Sequence, residues 1–297
     1  MAIRRIFTAI SGGADSDAVA STAFQLAKAT DGHVVGCYVR QGVPPYIYFG
    51  GIGGNIGMYS GQVAESLTEQ NDKAEKAAAA AFAASRERLT VPAAIKRTAE
   101  TAPSAEWIGD IDGAGAFAVQ ARLADVVVVS RPDDAKGFDS IAVFEAGLLR
   151  AKRPVLVVPE NAADRAWDTT AVAFNGGSEG ARAVSAALPM LRWASHVHIL
   201  TAGADNDDGL GAKDLEAYLD WHGVRCKRHL AEIKEESAGA TLLMLAERCG
   251  AKLLVMGAYT HSHLREMVMG GVTRHILEKS KVPVLMVHES GARSPEQ

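Results

Sequence analysis

Two glycine-bearing turns carry the residue types that hold phosphate. One is Ser11-Gly12-Gly13-Ala14-Asp15-Ser16, and the other lies in "MGAYTHSHLREMVMGGVTRH" (256–275), with Gly257, Gly270 and Gly271. Free backbone N–H groups at the start of a helix, together with its dipole, favour an anion. Glycine permits close backbone approach and positive φ. In the second stretch a strand ends at Gly257 and a helix begins near Gly270 or Gly271, so several N–H groups point beyond the strand end. Other chemistry is thinner. His261, His263 and His275 lie near this loop, but no cysteine or carboxylate spacing supports a zinc site, and no protein-held metal is expected. Ser11, His33 and Asp15 do not spell a hydrolase triad, because G-x-S-x-G is absent. No catalytic residue is expected.

The elements that position these turns are written twice. "KRPVLVVPE" (152–160) and "KVPVLMVHE" (281–289) end the two copies, preceded by "ADVVVVS" (124–130) and "AKLLVMG" (251–257). Asp125 falls on Lys252 and Pro154 on Pro283, offsets of 127 and 129. "TAISGGADSDAVAST" lies against "VAFNGGSEGARAVSA", which sets Ser11-Gly12-Gly13 on Asn175-Gly176-Gly177. Each copy reads β-α-β-α-β-α-β-α-β. The first has strands near 4–10, 33–39, 92–98, 125–130 and 154–158, and helices near 15–30, 62–89, 112–123 and 139–151. The second has strands near 169–174, 196–201, 224–230, 252–257 and 283–287, and helices near 178–193, 211–222, 237–249 and 271–280. The runs VVVV and LLVM do not alternate, so these strands are covered on both faces. Strands alternating with helices imply a parallel sheet with right-handed crossovers. The fold class is therefore α/β, two tandem open five-stranded parallel-sheet domains of Rossmann-like kind, over 1–159 and 169–290.

Composition bounds the function. The 297 residues carry a net charge of -4, with 48% hydrophobic and 22% charged residues, which argues against a basic nucleic-acid surface. Three scattered cysteines fit a reducing compartment. No stretch of about 18 apolar residues reads as a membrane span. A cytoplasmic location with no membrane partner is expected. One segment breaks the repeat: "RQGVPPYIYFGGIGGNIGMYSG" (40–61) has no counterpart in the second copy. Its glycines argue for a loop without regular structure, and Tyr46, Tyr48, Phe49 and Tyr59 would form a contact patch if exposed.

The run from Gly257 to Val287 resembles the nucleotide-binding segment of universal stress proteins, G-x2-G-x9-G-[ST] followed by a helix and a P-V-L-x-V strand. Gly257 matches the first glycine and Gly270 the third; Thr260 stands at the second, and Gly271 stands where Ser or Thr belongs. Thr273 could supply that hydroxyl. The resemblance spans the chain as a tandem pair, with a fold like that of the adenine nucleotide alpha hydrolases. It implies that the two final strands associate, making an intramolecular pseudo-dimer with "RPVLVV" and "VPVLMV" as antiparallel neighbours. It implies a stress-response module that binds ATP or a related adenine nucleotide, with room for Mg2+ as its companion and at most slow hydrolysis. The residues it assigns to the nucleotide are Ala173, Phe174, Asn175, Met256, Gly257, Gly270, Gly271, Val272 and Thr273. Further partners would be a second copy of the chain or an unidentified protein.

In the first copy Ser130 replaces Gly257, and Ile141 and Ala142 replace the glycine pair, with Asp133, Asp134 and Asp139 added. That copy is expected to have lost its nucleotide site. Two alternatives of other classes stand beside this reading. One is an interaction module that works through 40–61 without nucleotide. The other is an ATP pyrophosphatase-type enzyme, since S-G-G-x-D-S resembles the pyrophosphate loop of that family. The counterpart "NGGSEG" makes S-G-G this chain's way of turning from strand to helix, with Asp15 and Ser16 as N-terminal helix residues.

Overall fold

The structure is a computed structural model that describes residues 2–42, 56–95, 102–133, 139–162, 167–203, 210–233, 237–258 and 270–288, the side chains of 56–62 excepted. Its first half runs β1 (Arg5–Ala9), α1 (Ser16–Thr30), β2 (His33–Arg40), α2 (Ile56–Arg88), β3 (Ser104–Asp112), α3 (Gly113–Ala121), β4 (Val126–Ser130), α4 (Ser140–Glu145) with a π-turn over Ala146–Arg150, and β5 (Val155–Val158). The second half runs β6 (Thr169–Ala173), α5 (Ser178–Trp193), β7 (His196–Ala202), α6 (Ala212–Trp221), β8 (Cys226–Ala231), α7 (Ala238–Arg248), β9 (Leu253–Ala258), α8 (Gly271–Lys279) and β10 (Val284–His288).

All these strands join one sheet in the order β3-β2-β1-β4-β5-β10-β9-β6-β7-β8. Read outward from the middle, both halves have the same strand order, and pairing within each half is parallel. The halves meet where β5 and β10 pair antiparallel, with Val157 opposite Val284, Leu156 opposite Leu285 and Val155 opposite Met286. This is the pseudo-dimer that the two P-V-L endings imply. Helices on both faces bury the uninterrupted apolar runs; Val126 to Val129 and Leu253 to Val255 all lie in the core.

Two expectations need correction. The third strand of the first half is β3, and the described part of the strand expected over 92–98, residues 92–95, forms none. Pro92 has no N–H to give a ladder, and Ala93 makes only an isolated bridge to Ala105. "SAEWIGDID" forms the edge strand instead, with exposed positions alternating along its outer part. Regular structure also begins earlier than the glycines of 40–61 suggest, since α2 starts at Ile56 and contains Gly57 and Gly61. Tyr46, Tyr48, Phe49 and the side chain of Tyr59 lie outside the described residues.

At 33 residues, α2 is about 50 Å long. Its alanine-rich second half is strong on propensity alone. Asn71 pins it to the carboxyl end of β2: its Oδ1 accepts from the Tyr38 hydroxyl at 2.9 Å and the Gln41 N–H at 3.0 Å, and its Nδ2 donates to the Gln41 carbonyl at 3.0 Å. Among the described residues no helix is long and apolar enough to cross a membrane.

The β5–β10 register predicts a cross-link. Directly opposed residues of an antiparallel pair lie about 4.5–5.5 Å apart at Cα, within disulfide reach. Val157→Cys with Val284→Cys is expected to form a disulfide on oxidation. Val157→Cys with Met286→Cys, two residues out of register, is expected to stay reduced. Mass spectrometry distinguishes the two, and the opposite pattern would displace the register.

Candidate functional site

In each half the chain leaves the two central strands in opposite directions. From β6 it crosses to β7 on one side, and from β9 to β10 on the other. Right-handed crossovers then place the helices that follow, α5 and α8, on opposite faces. A crevice opens beyond the carboxyl ends of β6 and β9, where Ala173 lies beside Met256. A cavity of about 470 Å³ fills this place. Its described lining is Ala173, Phe174, Asn175, Gly176, Glu179 and Gly180 from β6 and α5; Thr201, Ala202, Leu210 and Gly211 from the end of β7 and the start of α6; and Ala238, Leu242, Met256, Gly257, Val272 and Thr273 from α7, β9 and α8.

The turn from β6 into α5 has a local cause. Gly176 adopts φ +79, a conformation that favours glycine, and the Gly177 N–H donates to Asn175 Oδ1 at 3.1 Å. The first half repeats this closely, with Gly12 at φ +77 and the Gly13 N–H donating to Ser11 Oγ at 3.0 Å. The sequence alignment of S-G-G with N-G-G is thus an identity of backbone geometry. Phe174 packs against Gly180, where a Cβ would lie 3.1 Å from its ring. Gly257 is held tighter: a Cβ there would lie 2.7 Å from the Glu179 carbonyl carbon and from the Gly180 nitrogen. Glycine at 257 is therefore demanded by the packing of β9 against α5, whatever the cavity holds.

On the other side, α8 starts at the cap residue Gly270, with φ -53, ψ 142, no side-chain cap and no acidic residue in its first turn. Its first N–H groups lack intrahelical acceptors. Gly270 does not use positive φ, and a Cβ at Gly270 or Gly271 would meet no described atom within 4 Å. Both glycines are exposed and immediately precede the lining residues Val272 and Thr273 without lining the cavity themselves. Of the residues expected at the site, Ala173, Phe174, Asn175, Met256, Gly257, Val272 and Thr273 come together there.

The sequence reading missed two members. Thr201 is buried, and its Oγ1 has no hydrogen-bond partner among the described residues. Glu179 is the charged side chain of the described lining. The carboxyl-end rule for parallel strands would have flagged Thr201, next to last in β7. Of the three nearby histidines, His275 packs on Gly239 of α7, where a Cβ would lie 3.0 Å from His275 Cβ. Thr260, His261 and His263 lie outside the described residues.

The first half spends the same positions differently. The Asp139 carboxylate accepts from the Ala142 N–H at 3.0 Å, capping α4 with a group of the chain's own. Helix α2 lies across the Ser11–Gly13 turn, so that a Cβ on Gly12 would lie 2.3 Å from the Ala74 carbonyl oxygen. The Ser11 hydroxyl donates to Asp15, itself buried. Asp134 lies outside the described residues.

Chemically, the second-half cavity offers apolar walls from Leu242, Met256 and Val272, the Thr201 hydroxyl, unpaired among the described residues, and the N–H groups opening α8. Those features fit a flat, partly polar ring bearing a phosphate.

Comparison with known proteins bears on the second half first. Residues 167–288 match the family model described as Usp, universal stress protein family. Over 92 residues the chain is 33% identical to universal stress protein Slr1230 of Synechocystis sp., covering 30% of this chain and 31% of that relative's length. In overall fold the chain is similar to a universal stress protein from Archaeoglobus fulgidus DSM 4304, with TM-score 0.62, 17% identity, and coverage of 96% of this chain and 98% of the other. A Pseudomonas aeruginosa UCBPP-PA14 protein titled in the same family matches at TM-score 0.53 and 14% identity, covering 97% of this chain and 94% of its own.

The glycines can be separated by experiment. Gly257→Ala is expected to lower stability by about 1–3 kcal/mol, because the added methyl overpacks against the α5 backbone. Gly270→Ala is expected to stay within about 0.5 kcal/mol of the parent, as befits an open surface position. Urea denaturation of both variants checks this.

Proposed function

With its C-terminal half a universal stress protein domain and its N-terminal half repeating the fold, we propose that the protein is a stress-response module that binds one ATP or related adenine nucleotide. The carrying observation is the cavity at the carboxyl ends of β6 and β9, onto which α5 and α8 both open. In this reading the base lies near Ala173, Asn175 and the Thr201 hydroxyl. The phosphates meet Gly257 and the N–H groups from Gly271 to Thr273. Each α8 N–H left without an intrahelical acceptor donates to phosphate oxygen, and the helix dipole adds to the attraction.

Hydrolysis is slow in this reading. No Arg or Lys is among the described lining residues, so no cationic side chain there stabilises charge on a transferring phosphoryl group. The first half binds no nucleotide, because Asp139 already satisfies the Ala142 N–H and α2 lies across the turn.

Titration calorimetry of the full chain with ATP, ADP and AMP is expected to give a stoichiometry of one for the tightest. Gly270→Val is expected to weaken binding at least tenfold, about 1.4 kcal/mol, with the melting temperature unchanged. A Cβ there meets no described atom within 4 Å, and the larger side chain fills the space before the α8 N–H groups. Ser11→Ala, Asp15→Asn, and Ile141→Gly with Ala142→Gly are expected to leave both affinity and stoichiometry unaltered. A stoichiometry of two rejects the asymmetry. No binding of any adenine nucleotide rejects the reading and leaves a nucleotide-free interaction module.

A further inference from the structure

A phosphate site whose charged lining is a carboxylate poses an electrostatic problem. Glu179, in the first turn of α5, supplies the charge among the described side chains lining the cavity. The residue is 6% exposed, and no hydrogen bond or ion pair joins its carboxylate to another described residue. A Cβ built on Gly177 would lie 3.0 Å from Glu179 Oε2 and 3.1 Å from Asn175 Oδ1, so both oxygens flank one point of the turn. On the far side, Glu179 Cβ abuts Gly257. The carboxylate is therefore held at the carboxyl ends of β6 and β9, within the crevice itself.

The α5 dipole favours an acid in its first turn, which accounts for the residue type but leaves the burial and the missing partner unexplained. Against a bound polyphosphate, a carboxylate in a partly desolvated cavity is repulsive. A divalent cation reverses the sign. Mg2+ is bound by one or two carboxylates together with substrate phosphates, keeping several waters. Glu179 has the charge for that role, and Asn175 Oδ1 retains a second lone pair beyond the one used by Gly177.

We propose that Glu179 is a protein ligand to the divalent cation that accompanies the nucleotide, so that the site takes the metal–nucleotide complex and discriminates against the free nucleotide. The inference rests on the adenine-nucleotide reading of the cavity. It divides the labour between the two helices: α8 meets phosphate oxygens with its N–H groups, and α5 meets the cation with a side chain.

The test is calorimetry of the full chain with ATP in excess Mg2+ and with ATP in EDTA. The wild type is expected to bind at least tenfold more tightly with Mg2+. Glu179→Gln, nearly isosteric, is expected to cut that preference below threefold and to bind free ATP at least as tightly as the parent does. A wild type indifferent to Mg2+, or a Gln variant that keeps the full preference, overturns the proposal while leaving nucleotide binding intact. Failure of ATP to bind in either condition removes the nucleotide reading and this proposal together. Should the variant not fold, Mn2+ gives a second measurement on the wild type. In the ternary complex with ATP it is expected to carry fewer inner-sphere waters than in Mn2+–ATP alone, read from line broadening in 17O-enriched water. An unchanged water count overturns the proposal.

Discussion

The antiparallel pairing of β5 with β10 organises the molecule. Each of these strands would otherwise be a sheet edge with a row of unpaired backbone groups, an invitation to aggregate. Joined, they form the centre of a ten-stranded sheet, with Leu156 and Leu285 facing each other inside the core. Because the pairing is antiparallel, the second half runs opposite to the first, and the carboxyl edge of one half lies beside the amino edge of the other. Arg131, just past the end of β4, thereby reaches the last turn of α8. Its guanidinium donates to the Glu278 carbonyl at 3.0 Å and also to the Ser280 carbonyl. A cation at a helix C-terminus suits the dipole and satisfies carbonyls that the helix leaves open. The helix that opens onto the cavity at one end is thus anchored by the other half at its far end. The true edges that remain, β3 and β8, are blunted by the bridge from Ala93 and by exposed Lys227 and Arg228.

The two halves show one backbone device put to two uses. Gly12 and Gly176 take the same left-handed turn, and the following N–H is held by the side chain two residues back in both. What differs is the surroundings. In the first half the chain supplies its own carboxylate to α4 and its own helix to the turn. In the second, α8 starts with two glycines and no acid, and the turn borders a cavity. The asymmetry comes from a few side chains and one long helix, on a fold that is otherwise repeated.

Much of this was legible in the sequence because it is periodic or repeated. The VVVV and LLVM runs, the P-V-L endings and the paired glycine turns gave the alternation of elements and the repeat, and the family resemblance they carry gave the β5–β10 contact and seven residues of the cavity lining. The rest lacked such a signal. β3 is a half-exposed edge strand whose acids, Glu106, Asp110 and Asp112, weaken its apolar pattern, while "VPAAIK" just before it looks more strand-like than it is. The start of α2 was hidden by Gly57, since a helix can carry a glycine at a cost of about 1 kcal/mol. Gly257 and Gly270 looked equivalent, yet in the fold one is pressed against α5 and a Cβ on the other meets no described atom within 4 Å. Glu179 stands where an acid at a helix start draws no notice; its burial is a property of packing and cannot be seen in the letters.

Helix α2, lying across the first-half turn, also changes what the two halves can sense. A crevice closed by a covalently attached helix always has its occupant at fixed, high effective concentration. In the first half the Gly12 turn is covered by the chain's own helix, whose presence there does not depend on the pool of small molecules around it. An open crevice behaves otherwise: any species that binds only the folded form adds RT ln(1 + [L]/Kd) to its stability. The fold thus sets a turn covered by the chain itself in one half against a turn that borders an open cavity in the other, with the two halves joined through the antiparallel pairing of β5 with β10.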